Sequence, residues 1–96
     1  MYHGVKSVKA AEGHHLIVEF DNGDYRLFDV KPLLSIGRFS ELSAQQEFRK
    51  VRVAFDTVEW ENGLDIDPEY LYAQSAPITV EDATLADPAG RQVAEP

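Results

Sequence analysis

Between Leu16 and Val30 the chain alternates apolar and polar side chains on either side of Asn22-Gly23. A period of two is strand periodicity, and Asn-Gly tolerates the positive φ angles of a type I′ turn. The segment reads as a β-hairpin with Asn22 and Gly23 at its turn. A two-residue loop fixes the register: Phe20 faces Tyr25, Glu19 faces Arg26 and Val18 faces Leu27. Opposed pairs of this kind contribute about 0.2–1 kcal/mol each. That register puts Leu16, Val18, Phe20, Tyr25 and Leu27 on one face. It puts Ile17, Glu19, Arg26 and Phe28 on the other.

The flanking segments extend the pattern. Val5 and Val8 are three apart, which breaks alternation and predicts a bulge. With Glu12-Gly13-His14 as a turn, a three-stranded antiparallel meander spans residues 5–30. After Pro32, the run from Leu33 to Leu42 reads as a helical or turn-rich connection. Ser43 followed by Gln46 has the spacing of a capping box and predicts a short helix over 44–50. Arg49 and Lys50 suit its last turn. Val51, Val53 and Phe55 alternate, and Val58 and Trp60 continue one step out of phase. The slip at Asp56-Thr57 predicts a bulge or a tight turn, and Asn62-Gly63 predicts another turn. Asp67-Pro68 reads as N-cap and first residue of a last helix, the Asp67 side chain accepting a backbone N–H and Leu71 facing inward.

The fold class is therefore α+β. A small antiparallel sheet combines the N-terminal meander with a later strand or hairpin, and two short helices pack on it. Residues 1–75 form one domain. Residues 76–96 hold three prolines, one glycine and no aromatic residue, and read as a loosely packed or extended tail.

Ninety-six residues bury about 65% of the surface of the unfolded chain, enough for one modest core. The chain has no cysteine, which excludes a disulfide framework and thiolate chemistry. No apolar run approaches the roughly 18 residues of a membrane span, and Met1 to Lys6 lacks a leader pattern. A cytoplasmic chain without membrane contact is the expectation. Seventeen acidic and nine basic residues leave a net charge of -8. That field repels phosphate backbones, so direct nucleic-acid binding is not expected. It suits solubility, or a basic partner.

No catalytic constellation stands out. His14 and His15 are adjacent, so on a strand they point to opposite faces and do not chelate one ion. His14, His15 and His3 read as exposed turn histidines. Asp65, Asp67 and Glu69 alternate, but lack the length, central glycine and distal glutamate of a calcium loop. The serines lie in no nucleophile-elbow context, and the six glycines form no phosphate-cradling loop. Trp60, the single tryptophan, reads as core rather than as a partner anchor. The chain reads as non-enzymatic, with no metal and no cofactor.

Three strings carry a family resemblance. The first is Leu16-Ile17-Val18-Glu19-Phe20-Asp21-Asn22-Gly23, followed by Asp29-Val30-Lys31-Pro32-Leu33-Leu34. The second is Phe48-Arg49-Lys50-Val51. The third runs from Val58 through Trp60, Asn62, Gly63, Asp65, Asp67, Pro68 and Leu71 to Tyr72. Together they resemble the bacterial domain-of-unknown-function family 2442 over about residues 5–73. The family pattern is F-x-[DN]-G, then D-[LV]-x-P-L-L, then W-P-N-G-x-D-[IL]-x-P-x-x-L-Y. Glu61 stands where the family usually has proline. The resemblance implies a small α+β domain and mainly structural roles for Trp60, Asn62, Gly63, Asp65, Asp67, Pro68, Leu71 and Tyr72. It also implies members fused to helix-turn-helix domains and members partnered with a second small protein.

The sequence favours a non-catalytic protein-interaction module for a small, basic protein. Such a module would be the neutralising or regulatory half of a two-protein, toxin–antitoxin-like system. One alternative is a regulator that touches DNA only in complex with a basic partner; another is a small metal-dependent enzyme. Ile17, Glu19, Arg26 and Phe28 form the expected interaction face. Left uncovered, Ile17 and Phe28 make an apolar patch suited to a partner or a homodimer.

Overall fold

The computed structural model of the protein describes residues 3–85. The meander forms as expected, with β1 (Val5–Ala11), β2 (His15–Phe20) and β3 (Tyr25–Asp29) antiparallel in order. Val5 pairs with Phe20 and Ser7 with Glu19, so Lys6 is the extra, bulged residue. The β1–β2 turn carries positive φ at Gly13 (72°) and His14 (57°).

The register of the β2–β3 hairpin differs by one residue from the expected one. Glu19 faces Tyr25, Val18 faces Arg26, Ile17 faces Leu27 and Leu16 faces Phe28. The cause is the loop. Only Gly23 of the turn residues has positive φ (93°), so a type I′ turn is not made. The Gly23 N–H donates to Phe20 O at 2.9 Å and the Phe20 N–H to Asp24 O at 2.9 Å. This is a three-residue loop, a type I turn closed by a glycine bulge. A one-residue slip exchanges the faces of a strand. Phe28 therefore turns to the side of Leu16, and Tyr25 and Leu27 join Ile17. Ile17 and Glu19 lie on one face and Arg26 and Phe28 on the other, so the four do not form one interaction face.

Residues 31–35 and 37–43 are 3₁₀ segments, followed by α1 (Gln45–Phe48). The Ser43–Gln46 capping box does not form. Ser43 ends the preceding 3₁₀ segment and Ala44 is the N-cap, without a side-chain cap bond. A second sheet contains β4 (Arg52–Ala54), β5 (Thr57–Glu59) and β6 (Asp65–Ile66) in that order. Ala54 pairs with Thr57, so Phe55-Asp56 is a two-residue loop. Both residues have positive φ, 52° and 67°. The primed-turn geometry expected at Asn22-Gly23 is found here instead, without asparagine or glycine. Next comes α2 (Pro68–Gln74), with Asp67 at the N-cap and Pro68 at the first position. The Asp67 side chain makes no cap bond; its carbonyl accepts the Leu71 N–H at 2.9 Å.

The expected tail from Ala76 begins as part of the fold. β7 (Ala76–Ile78) pairs with β3 and completes the sheet order β1-β2-β3-β7, and α3 (Val80–Leu85) follows. Residues 86–96 lie outside the described residues. The helices thus number three among the described residues.

The sheet has two unequal sides. Leu16, Val18, Phe20 and Phe28 meet Trp60 and Leu71 in the main core, each at 3% exposure or less. The Trp60 indole N–H is buried and donates to Phe48 O at 2.8 Å, satisfying the one polar atom it brings inside. On the other side, Ile17, Ala11 and Ala83 form a smaller cluster with Tyr25, Leu27 and Ile78 packed around it. The helix α3 supplies Ala83 and covers part of this side.

Candidate functional site

The two Asn-Gly turns are built alike. Around the second, the Gly63 N–H donates to Trp60 O at 2.9 Å and the Trp60 N–H to Leu64 O at 2.8 Å, repeating the loop at Phe20. In each, the asparagine Oδ1 accepts the N–H two residues on: Asp24 at 3.0 Å and Leu64 at 3.1 Å. In each, the aromatic residue that opens the loop is buried. Asn62 also reaches the 3₁₀ segment. Its side-chain amide donates to Glu41 Oε1 at 2.8 Å, and its backbone carbonyl accepts from Arg38 Nη2 at 2.9 Å. The Asn62 amide, and then Arg38, hold the Glu41 carboxyl below the usual carboxylate range.

Tyr72 ties the first turn to α2. Its hydroxyl donates to Asp24 Oδ2, and its ring meets Phe20 edge-on at 4.8 Å. The Arg26 guanidinium lies 4.3 Å from the centre of the Tyr72 ring, close enough for a cation–π contact. Arg26 also donates to Ser75 Oγ at 2.7 Å and Ser75 O at 2.6 Å. The Tyr72 hydroxyl, then the Asn22 amide, keep Asp24 below its ordinary value. These groups satisfy one another, so the cluster clamps α2 and β7 to the hairpin.

The residues just described match a known family model. It covers residues 5–77 and is described as a protein of unknown function, DUF2442. The chain belongs to this family. No curated protein and no solved structure matches it.

The motif residues of this DUF2442 chain divide by role. Trp60 and Leu71 are core, Asn62 and Gly63 make the turn, and Pro68 starts α2. Tyr72 belongs to the clamp. Asp65 and Asp67 are exposed, Asp65 opposite Glu59 on β5. No sequence pattern announced the Ser75–Arg26 or Glu41–Asn62 contacts, which join residues 49 and 21 positions apart.

The histidines do not converge. The Nε2 atom of His14 lies 3.0 Å from Leu42 O and 3.1 Å from Ser43 O, and its ring packs 4.8 Å from Phe48. His14 is thus a latch on the 3₁₀ segment, half-buried rather than an exposed turn residue. The Nδ1 atom of His15 lies 3.0 Å from Glu12 O, and its Nε2 atom 3.9 Å from Asp29. Among the described residues, no group of three or more histidine or acidic side chains is placed to hold a metal ion. None of their helices is long and apolar enough to cross a membrane.

Two surface features of the DUF2442 chain remain. Ser7, Lys9, Ile17, Glu19, Tyr25 and α3 line a half-open groove of about 200 Å³ on the lesser side of the sheet. Sites for small molecules are roughly 300–1,000 Å³, so this groove is small for a substrate. Glu19 is engaged there by Ser7 Oγ at 3.0 Å and Lys6 at 3.6 Å. The other feature is Phe55, 91% exposed at the β4–β5 tip. The sequence pattern concealed the turn, because Phe55 alternates with Val51 and Val53 as a strand residue would.

Proposed function

We propose that this DUF2442 chain is a non-catalytic interaction module whose ligand is a small, basic protein. The surface charge carries the reading. Lys6, Lys31, Arg38, Lys50 and Arg52 each face a carboxylate of the chain itself, at 2.9–3.6 Å. Asp21, Asp56, Asp65, Asp67, Glu69, Glu81 and Asp82 are exposed, and the net charge is -8. These five cations are neutralised where they stand, and with seventeen acids against nine bases the outward field is acidic. Such a field speeds encounter with a positive surface and disfavours acidic partners. The role that follows is the neutralising or regulatory half of a two-protein system.

The test is capture from lysate of the source cells on the immobilised full chain, between about 50 and 200 mM salt. The expected result is one small protein of positive net charge, in stoichiometric amount, held less tightly as salt rises. Growth inhibition by that protein, relieved by this chain, establishes neutralisation. DNA binding by the pair, with a steep salt dependence, establishes the regulator instead. An empty eluate throughout removes the reading.

A further inference from the structure

Phe55 is costly where it stands. Its φ of 52° is left-handed, a region that glycine and asparagine enter readily and bulky side chains rarely. Its ring gains no burial in return, at 91% exposure. Backbone outliers of this kind collect where a protein meets a ligand. The tip is also firmly held. The Asp56 carbonyl accepts the Val5 N–H at 2.9 Å, and the Gly4 N–H donates to Asp21 Oδ2 at 3.1 Å. Gly4 runs so close that a Cβ there would sit 3.3 Å from Asp56 Cβ and 3.2 Å from Asp21 Oδ2. Asp21 and Asp56 thus stand together beside the aromatic tip, with His3 Nδ1 3.9 Å from the Asp21 carboxylate.

We propose that Phe55 is the anchor of the interface, inserted into an apolar pocket that the basic partner rims with lysine or arginine. A turn whose backbone is held in place before binding loses little backbone freedom on docking. Buried aromatic anchors carry much of the energy of protein interfaces. The carboxylates of Asp56 and Asp21 pair with the rim and set the charge of the acceptor. The inference rests on the interaction-module reading above and names the contact it uses.

The experiment uses the full chain with photoreactive benzoylphenylalanine at position 55, irradiated in source-cell lysate. A second chain carries the same group at Ile36, which is 54% exposed between the two 3₁₀ segments. The expected product is a cross-link from position 55, and not from 36, to one basic protein, at an apolar peptide flanked by lysine or arginine. With that protein purified, Phe55→Asn weakens binding at least about tenfold by calorimetry. The same substitution raises the melting temperature, by about 4–8 °C, because asparagine tolerates the left-handed turn. If the basic protein binds Phe55→Asn as tightly as the native chain, the anchor is wrong and the module reading stands. If Phe55→Asn lowers the melting temperature, Phe55 is structural and the anchor is again wrong. A cross-link to a second copy of this chain overturns the heterologous partner. If the native chain captures no basic protein, both readings fall.

Discussion

The two sides of the four-stranded sheet are finished by different means. The main side is closed by Trp60, Leu71 and Phe48, all within the span that matches the family. The lesser side is closed by Ala83 on α3, which lies beyond residue 77, where the match ends. The first side is a dense core with large side chains at essentially no exposure. The second rests on alanines, Ile17 and partly buried Tyr25, Leu27 and Ile78. Stability therefore belongs to the family's own residues, and the covering of the second side belongs to the segment that follows them.

The largest effect comes from the main side. Leu71→Ala removes a fully buried side chain and is expected to cost about 3–5 kcal/mol in denaturant unfolding. A loss under 1 kcal/mol would mean that α2 is not part of the cooperative core. Next is a chain ended after Ile78, which lacks α3. It is expected to fold, with a lower melting temperature and new binding of a hydrophobic dye at Ile17 and Leu27. If it does not fold, the division between the two sides is wrong. Ile17→Ala is expected to cost about 2 kcal/mol in the full chain and clearly less in the shortened one. Equal costs in both would show that α3 does not support Ile17.

The smallest effect concerns the clamp. Tyr72→Phe removes the hydroxyl from Asp24 and is expected to lower stability near neutral pH by less than Ile17→Ala does. The sign of its pH dependence follows from the depressed Asp24 carboxyl. A depressed acid stabilises the fold above its ordinary value of 3.8 and loses that contribution as pH falls through its folded value. The gap between native and Tyr72→Phe stability is therefore constant above about pH 5 and narrows below it. A gap that stays constant at lower pH would detach Tyr72 from Asp24.

The meander, the bulge at Lys6, the turn at Gly13 and the start of α2 were all legible in the sequence, because each is set by neighbouring residues. The hairpin register was not. Asn22-Gly23 fits both a two-residue loop and a type I turn with a glycine bulge, and adjacent Leu27 and Phe28 are apolar in either register. β7 and α3 were not legible because three strand residues around Pro77 and a six-residue helix carry no periodicity to read. Among the motif residues, Trp60 was correctly placed in the core. Alternation extended the strand pattern to Phe55, whereas the φ angles place it in the turn.

The position of Trp60 has an optical consequence. The single tryptophan reports only on the main side of the sheet, where its indole touches Phe48 and Phe39. Detachment of α3 would leave its emission unchanged. Tyr25 lies on the other side and Tyr72 at the clamp, so tyrosine signals sample what Trp60 does not. A melting curve followed by tryptophan alone would make two events look like one; coincidence of both chromophores is the measurement that would establish a single transition.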